Sequence, residues 1–122
     1  MAYLGSQWIQ SRVSMMELPA HLPAAYENVV KLLMQNMSEI QLEDAVSRAM
    51  EVFRRYIHSL NCRYPRISIN QESSFAAALE YYGCTATGVE VSEQSLCRKY
   101  RVSETRLRNA LEKFRPYTED PA

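Results

Sequence analysis

The sequence contains few of the residues that build tight β-hairpins, and it has no long apolar run. Only three of its 122 residues are glycine, and the dipeptides Asn-Gly and Asp-Gly do not occur. Because these dipeptides form the commonest two-residue hairpin turns, their absence argues against an all-β fold. The longest apolar runs extend over a few residues, so we expect no membrane-spanning segment. Residues 1–10 also lack the basic-then-apolar pattern of a signal peptide.

Cysteine is also scarce. The chain has three cysteines, Cys62, Cys84 and Cys97, and no two of them have the spacing Cys-x-x-Cys. An odd number of thiols without this spacing suits a reducing interior better than a disulfide-linked secreted scaffold. We therefore expect an intracellular protein, cytoplasmic if prokaryotic and nuclear if eukaryotic. The simplest role for each cysteine is that of a small buried side chain.

The residues and motifs of common catalytic sites are missing. The two histidines, His21 and His58, are isolated, and no metal-ligand spacing is present. There is no glycine-rich phosphate loop and no Gly-x-Ser-x-Gly elbow. The sequence therefore predicts no catalytic residue, no metal site and no cofactor, and we expect a protein that is not an enzyme.

Charge is unevenly distributed along a chain whose net charge is zero. Residues 92–117 contain seven basic and three acidic residues, hence a charge of +4, and the remainder carries −4. A basic C-terminal third on an acidic body is typical of a protein that binds a polyanion. Ordinary variation on a solvated helix face is the alternative interpretation, because +4 is small for a DNA-binding surface.

The spacing of apolar residues predicts an all-α fold. Hydrophobic residues make up 47% of the chain, which indicates a globular protein with a packed core. The pattern predicts an N-terminal amphipathic helix over about 6–17 and five further helices, over about 23–37, 40–60, 70–84, from 92 and from 103. These give an N-terminal helical segment with a linker (1–22), a main domain (23–117) and a frayed tail (118–122).

Polar residues at the helix starts predict where the helices begin. Ser38 and Asn70 precede the second and third helices, and Ser92 and Ser103 precede the fourth and fifth. Each can accept a hydrogen bond from a backbone N–H of the first turn that has no partner within the helix. Gly88 is predicted to form the turn after the third helix.

The third helix and the two that follow carry a resemblance to a known family. It rests on the run Ala76-Ala77-Ala78-Leu79, on Cys84, Gly88, Leu96 and Leu107, and on the pair Val102-Ser103. From Pro23 to Tyr117 the chain resembles one cyclin-box repeat of the transcription factor B family (eukaryotic TFIIB and archaeal TFB). The resemblance implies a cyclin-like five-helix bundle that ends in a helix-turn-helix, and it implies binding of double-stranded DNA by the final helix pair.

The sequence departs from that family in three respects. Members of the family carry two such repeats and a zinc ribbon, whereas this chain has room for one repeat and has no ribbon. The family usually has glycine in the turn between the last two helices, where this chain has Arg101. Because a left-handed turn costs a non-glycine residue about 1 kcal/mol, we expect Arg101 to adopt a different turn. We expect a stand-alone relative of the factor rather than a complete initiation factor.

The helix-turn-helix hypothesis identifies candidate DNA-binding residues. The final helix of such a motif enters the major groove, where arginine can read guanine and asparagine can read adenine. Residues near the turn contact phosphate more naturally. The predicted nucleic-acid-binding residues are Arg98, Lys99, Arg101, Ser103, Thr105, Arg106, Arg108, Asn109 and Lys113. Two acidic residues of the same helix, Glu104 and Glu112, oppose strong phosphate affinity.

The sequence leaves two functions and a third arrangement open. The first is a transcription-related DNA-binding protein. The alternative is a cyclin-fold protein–protein interaction module that binds TATA-binding protein or RNA polymerase without direct DNA contact, which the acidic body and the segment around Trp8 favour. A homodimer that buries Trp8 and several methionines is the third.

Overall fold

A computed structural model of the chain describes residues 18–19, 21–38 and 42–118, and over these residues the protein is all-helical. The five α-helices are α1 (Ala24–Asn36), α2 (Glu43–Ser59), α3 (Ile69–Ala86), α4 (Glu93–Tyr100) and α5 (Glu104–Phe114). A short 3-10 turn, Arg115–Tyr117, follows α5. The predicted all-α class is confirmed. The helix predicted over 6–17 and the tail beyond 118 lie outside the described residues.

α3 is the central helix, and each of the other four packs against it. Its three consecutive alanines, Ala76, Ala77 and Ala78, are fully buried, so their small side chains let several helices approach at once. The closest approach is at Gly83, where an added Cβ would lie 2.2 Å from the carbonyl oxygen of Ala45 on α2. None of the five described helices combines the length and the apolar character needed to cross a bilayer.

An aromatic cluster forms the centre of the core and joins α2, α3 and α5. Phe114 of α5 meets Tyr56 and Phe75 edge-to-face, with ring centroids 5.0 Å apart in both pairs. Phe53 lies 6.2 Å from Phe114 in the same geometry. Such edge-to-face pairs are favourable beyond the area that they bury. The cluster therefore fixes the inner face of α5 and, with it, the face that α5 presents to solvent.

The first residue of α3 differs from the prediction, which placed the cap at Asn70. The cap is Ser68, whose Oγ accepts a hydrogen bond from the Gln71 backbone N–H at 3.2 Å. The Gln71 side chain in turn accepts one from the Ser68 backbone N–H at 2.8 Å, which completes a capping box. The prediction of Asn70 as the cap was wrong, because the helix begins at Ile69 and already includes Asn70.

The start of α2 also differs from the prediction. Ser38 was predicted to cap it, but the residue before the first helical residue is Leu42, which makes no side-chain cap bond. The N-terminus of α2 has Glu43 and Asp44 in its first turn instead, where acidic side chains interact favourably with the helix dipole. The predicted start at Ile40 lies outside the described residues.

Arg101 adopts the left-handed conformation that the sequence argued against. Its φ is 57° and its ψ is 49°. In this geometry the backbone N–H of Val102 donates a hydrogen bond to the carbonyl of Cys97 at 3.0 Å. A carbonyl in the last turn of α4 thereby has a hydrogen-bond partner. The prediction of a different turn was wrong because this hydrogen bond offsets a strain of about 1 kcal/mol. Gly88, at φ 77°, is the turn residue that the sequence predicts.

Candidate nucleic-acid interface

The helices α4 and α5 are joined by a three-residue connection (101–103) and are both capped by serine. The Oγ of Ser92 accepts a hydrogen bond from the Ser95 backbone N–H at 3.1 Å. The Oγ of Ser103 accepts one from the Arg106 backbone N–H at 3.2 Å. Both caps were predicted. The Ser103 hydroxyl, which the sequence assigns to phosphate contact, therefore already has a structural role at the start of α5.

The inner faces of α4 and α5 are apolar. The spacing of apolar residues predicts these faces to consist of Leu96, Cys97 and Tyr100 on α4 and of Leu107, Ala110, Leu111 and Phe114 on α5. Leu96 and Tyr100 of α4 are buried, and so are Leu107, Ala110 and Phe114 of α5. The opposite faces are open to solvent. All nine predicted nucleic-acid-binding residues are exposed: Arg98, Lys99, Arg101, Ser103, Thr105, Arg106, Arg108, Asn109 and Lys113.

Three of the basic residues in this region are paired with a carboxylate. Lys99 Nζ lies 2.7 Å from Glu80 Oε2 on α3. Arg108 Nε lies 3.5 Å from Glu93 Oε1 on α4, and Arg115 pairs with Glu112 within α5 and the 3-10 turn. Within residues 42–118, no such ion pair involves the four remaining bases, Arg98, Arg101, Arg106 and Lys113. In the described part of the chain, these four carry the positive charge of the surface that faces no carboxylate.

Glu80 is a buried carboxylate that the sequence reasoning missed. It is 4% exposed and accepts a hydrogen bond from the Tyr100 hydroxyl at 2.6 Å and another from Lys99 at 2.7 Å. Burial and the neighbouring Glu80 charge raise the pKa of Tyr100 above its ordinary value, so Tyr100 stays a neutral donor. The group anchors α4 to α3. The one sequence signal for it is an acid directly after the apolar run 75–79.

A second hydroxyl ties α5 to α3. The Tyr82 hydroxyl donates a hydrogen bond to the carbonyl of Leu111 at 2.6 Å, and burial raises the pKa of Tyr82. Tyr82 also packs against Tyr81 in an edge-to-face pair, with ring centroids 5.6 Å apart. α5 is therefore fixed to α3 by a polar contact in addition to the aromatic cluster.

A polar cleft lies between α2 and the C-terminal end of α3, away from the predicted site. It has a volume of about 530 Å³ and is lined by Asp44, Ser47, Arg48, Glu51, Arg55, Ala86 and Thr87. Glu51 accepts hydrogen bonds from Arg54 and Arg55, and the bond from Arg54 holds the pKa of Glu51 below its usual range. Among the described residues, no three His, Cys, Asp or Glu side chains are placed to bind a metal ion.

The three cysteines differ in environment. Cys84 is buried, and burial raises the pKa of its thiol. Cys97 is half-buried, and its pKa is raised by burial and by Glu104. Cys62 is exposed in the loop after α2, so its prediction as a buried side chain was wrong. The raised pKa values argue against reactive thiolates at Cys84 and Cys97.

No protein-family model, curated protein or solved structure matches this chain. The resemblance to the transcription factor B repeat therefore stays a prediction from the sequence.

Proposed function

We propose that α4 and α5 act as a helix-turn-helix that binds double-stranded DNA, within a cyclin-like repeat of a transcription-related protein. The observation that carries this proposal is the exposed face of α5, which presents Thr105, Arg106, Arg108 and Asn109 on a helix anchored to the core along its other side. The transcriptional role is supported by the sequence resemblance.

The chemistry of that face suits the major groove. Thr105, Arg106 and Asn109 lie in the first two turns of α5, the part of a recognition helix that meets base edges. Arginine can donate two hydrogen bonds to guanine, and asparagine can donate to and accept from adenine. We expect Arg98, on α4, and Arg101, in the turn, to contact phosphates beside such a helix.

The free positive charge sets the expected salt dependence. The four bases that have no ion pair within residues 42–118 neutralise at most about four phosphates, and each phosphate contributes about −0.9 to the slope of log K against log salt. Raising the salt from about 50 mM to about 200 mM should therefore weaken binding by roughly two orders of magnitude. A much steeper dependence would require further phosphate contacts, from the bases that are ion-paired in the free protein or from residues outside α4 and α5.

The test is a fluorescence-anisotropy titration with duplex DNA at these two salt concentrations. Arg106→Ala/Arg108→Ala is compared with Arg63→Ala/Arg66→Ala, which removes equal charge from exposed positions in the loop between α2 and α3. We expect the first variant to bind at least tenfold more weakly than native protein and the second to bind almost as well. No binding at low salt, or equal losses in both variants, would overturn the proposal.

The polar cleft favours a second candidate function, a cyclin-fold module that binds a protein of the transcription machinery. It provides a concave, charged surface that does not involve α4 or α5. The test uses purified TATA-binding protein and RNA polymerase after nuclease treatment. Binding that is weakened by Arg48→Ala and not by Arg66→Ala supports this function, and no binding of either partner contradicts it.

A further inference from the structure

Arg106 and Arg108, the two arginines on the exposed side of α5, differ in whether a carboxylate lies beside them. The Arg108 guanidinium lies 3.5 Å from the Glu93 carboxylate, with side chains that are 68% and 38% exposed. In the described part of the chain this is the one ion pair that joins α4 to α5. Arg106, two residues earlier on the same helix, has no ion pair in that part.

The helix position that carries Glu93 is well defined. Glu93 is the first residue of α4, where the helix dipole favours an anion. α4 is held to α3 through the buried hydrogen bond between Tyr100 and Glu80. Arg108 follows directly on Leu107, which is fully buried. Neither partner can therefore leave the pair by a shift of its helix, and the pair opens by rotation of the two side chains.

We infer that Glu93 restrains Arg108 and lowers the affinity of the helix pair for duplex DNA, an inference that rests on the proposed function. The Arg108 Nε lies 3.5 Å from the carboxylate in the free protein, so Glu93 attracts the guanidinium away from the acceptors of a duplex. A phosphate or a guanine edge must compete with an existing ion pair at this position. Arg106 is available to every duplex, whereas Arg108 contributes where the DNA offers acceptors good enough to displace Glu93.

The inference predicts that removing the Glu93 charge strengthens binding. An exposed ion pair is worth up to about 1 kcal/mol, so Glu93→Gln should bind duplex DNA about threefold to fivefold more tightly at low salt. The gain should fall below about twofold in an Arg108→Ala background, because no guanidinium is left to release. Glu90→Gln removes an exposed carboxylate just before α4 that has no ion pair in residues 42–118, and it measures the general effect of lost negative charge.

The outcomes separate this inference from the proposed function. Circular dichroism first shows that each variant keeps the native helix content. The restraint by Glu93 is overturned, and DNA binding stands, if native protein binds and Glu93→Gln raises the affinity no more than Glu90→Gln does. The same conclusion follows if Glu93→Gln raises the affinity equally in the native and Arg108→Ala backgrounds. If neither native protein nor any variant binds at low salt, the proposed function itself is overturned.

Discussion

At position 83 the fold requires a hydrogen atom where other residues carry a side chain. A Cβ there would lie 2.2 Å from the Ala45 carbonyl oxygen and 3.0 Å from the Ala49 Cβ. Gly→Ala in an exposed helix stabilises by up to about 1 kcal/mol. At Gly83 the new methyl group meets backbone that cannot rotate away, so overpacking should dominate.

We therefore expect Gly83→Ala to lower the free energy of unfolding by about 2 kcal/mol or more, measured by urea denaturation. Thr85→Ala, at an exposed position of the same helix, is the control and should change stability by less than about 1 kcal/mol. A Gly83→Ala protein as stable as the native one would contradict the close approach of α2 and α3.

The left-handed conformation of Arg101 makes a second prediction at the scale of the residue. Glycine adopts φ 57° without steric cost, whereas alanine keeps the strain of arginine. Both substitutions remove the same charge, so their difference reports the backbone alone. We expect Arg101→Gly to be about 1 kcal/mol more stable than Arg101→Ala in thermal or urea unfolding. Equal stabilities would show that position 101 does not hold this conformation in solution.

Single residues were predictable where their partners are close in sequence. Ser92 and Ser103 bond to backbone N–H groups three residues ahead, so the sequence alone identifies them as caps. Glu80 bonds to side chains 19 and 20 residues away, and no local pattern contains that pairing. Arg101 was wrongly predicted because about 1 kcal/mol of strain is small beside the contacts that fix the two helices around it.

At the scale of the element, the two possible caps of α3 can be distinguished by experiment. The Ser68 hydroxyl caps the helix, whereas Asn70 lies within it and is exposed. We expect Ser68→Ala to lower the free energy of unfolding by about 1 kcal/mol and Asn70→Ala to change it by less than about 0.5 kcal/mol. A larger loss from Asn70→Ala would restore the cap that the sequence first suggested.

The helices themselves were more predictable than their ends and their arrangement. Periodicity identified the buried face of α5 correctly, because Leu107, Ala110 and Phe114 recur at the spacing of one helix face. The start of α2 was missed because Leu42 makes no side-chain cap bond, so no cap signal marks it. The anchoring of α4 through Glu80 required the packed structure, since it joins elements that are separate in sequence.

At the scale of the whole molecule, charge is partly neutralised within the protein before any partner binds. Residues 92–117 carry seven basic residues, but Lys99, Arg108 and Arg115 each face a carboxylate. The remaining free charge gives modest general attraction to a polyanion. A DNA-binding role would therefore depend on base contacts from α5 more than on electrostatic attraction. The difference in binding free energy between a specific and an unrelated DNA sequence should then be a large part of the total binding free energy.

The buried tyrosines link the stability of the whole fold to alkaline pH. Burial raises the pKa of Tyr26 to about 12, and the Tyr26 hydroxyl donates a hydrogen bond to the Pro65 carbonyl at 2.7 Å. Burial also raises the pKa values of Tyr56, Tyr82 and Tyr100. In the unfolded chain each of these groups would titrate near its ordinary value of about 10.

Because the folded state holds these hydroxyls protonated, their contribution to stability should be complete below about pH 10 and should decline as the pH rises from about 10 to 12. In that range the unfolded chain loses protons that the folded chain keeps. We expect tyrosinate absorbance and loss of helical circular dichroism to rise together for the buried tyrosines. Tyr26→Phe, which removes one buried titrating group, should make the decline in unfolding free energy less steep. Complete ionisation of all eight tyrosines near pH 10 with the helices intact would contradict the buried hydroxyls of this fold.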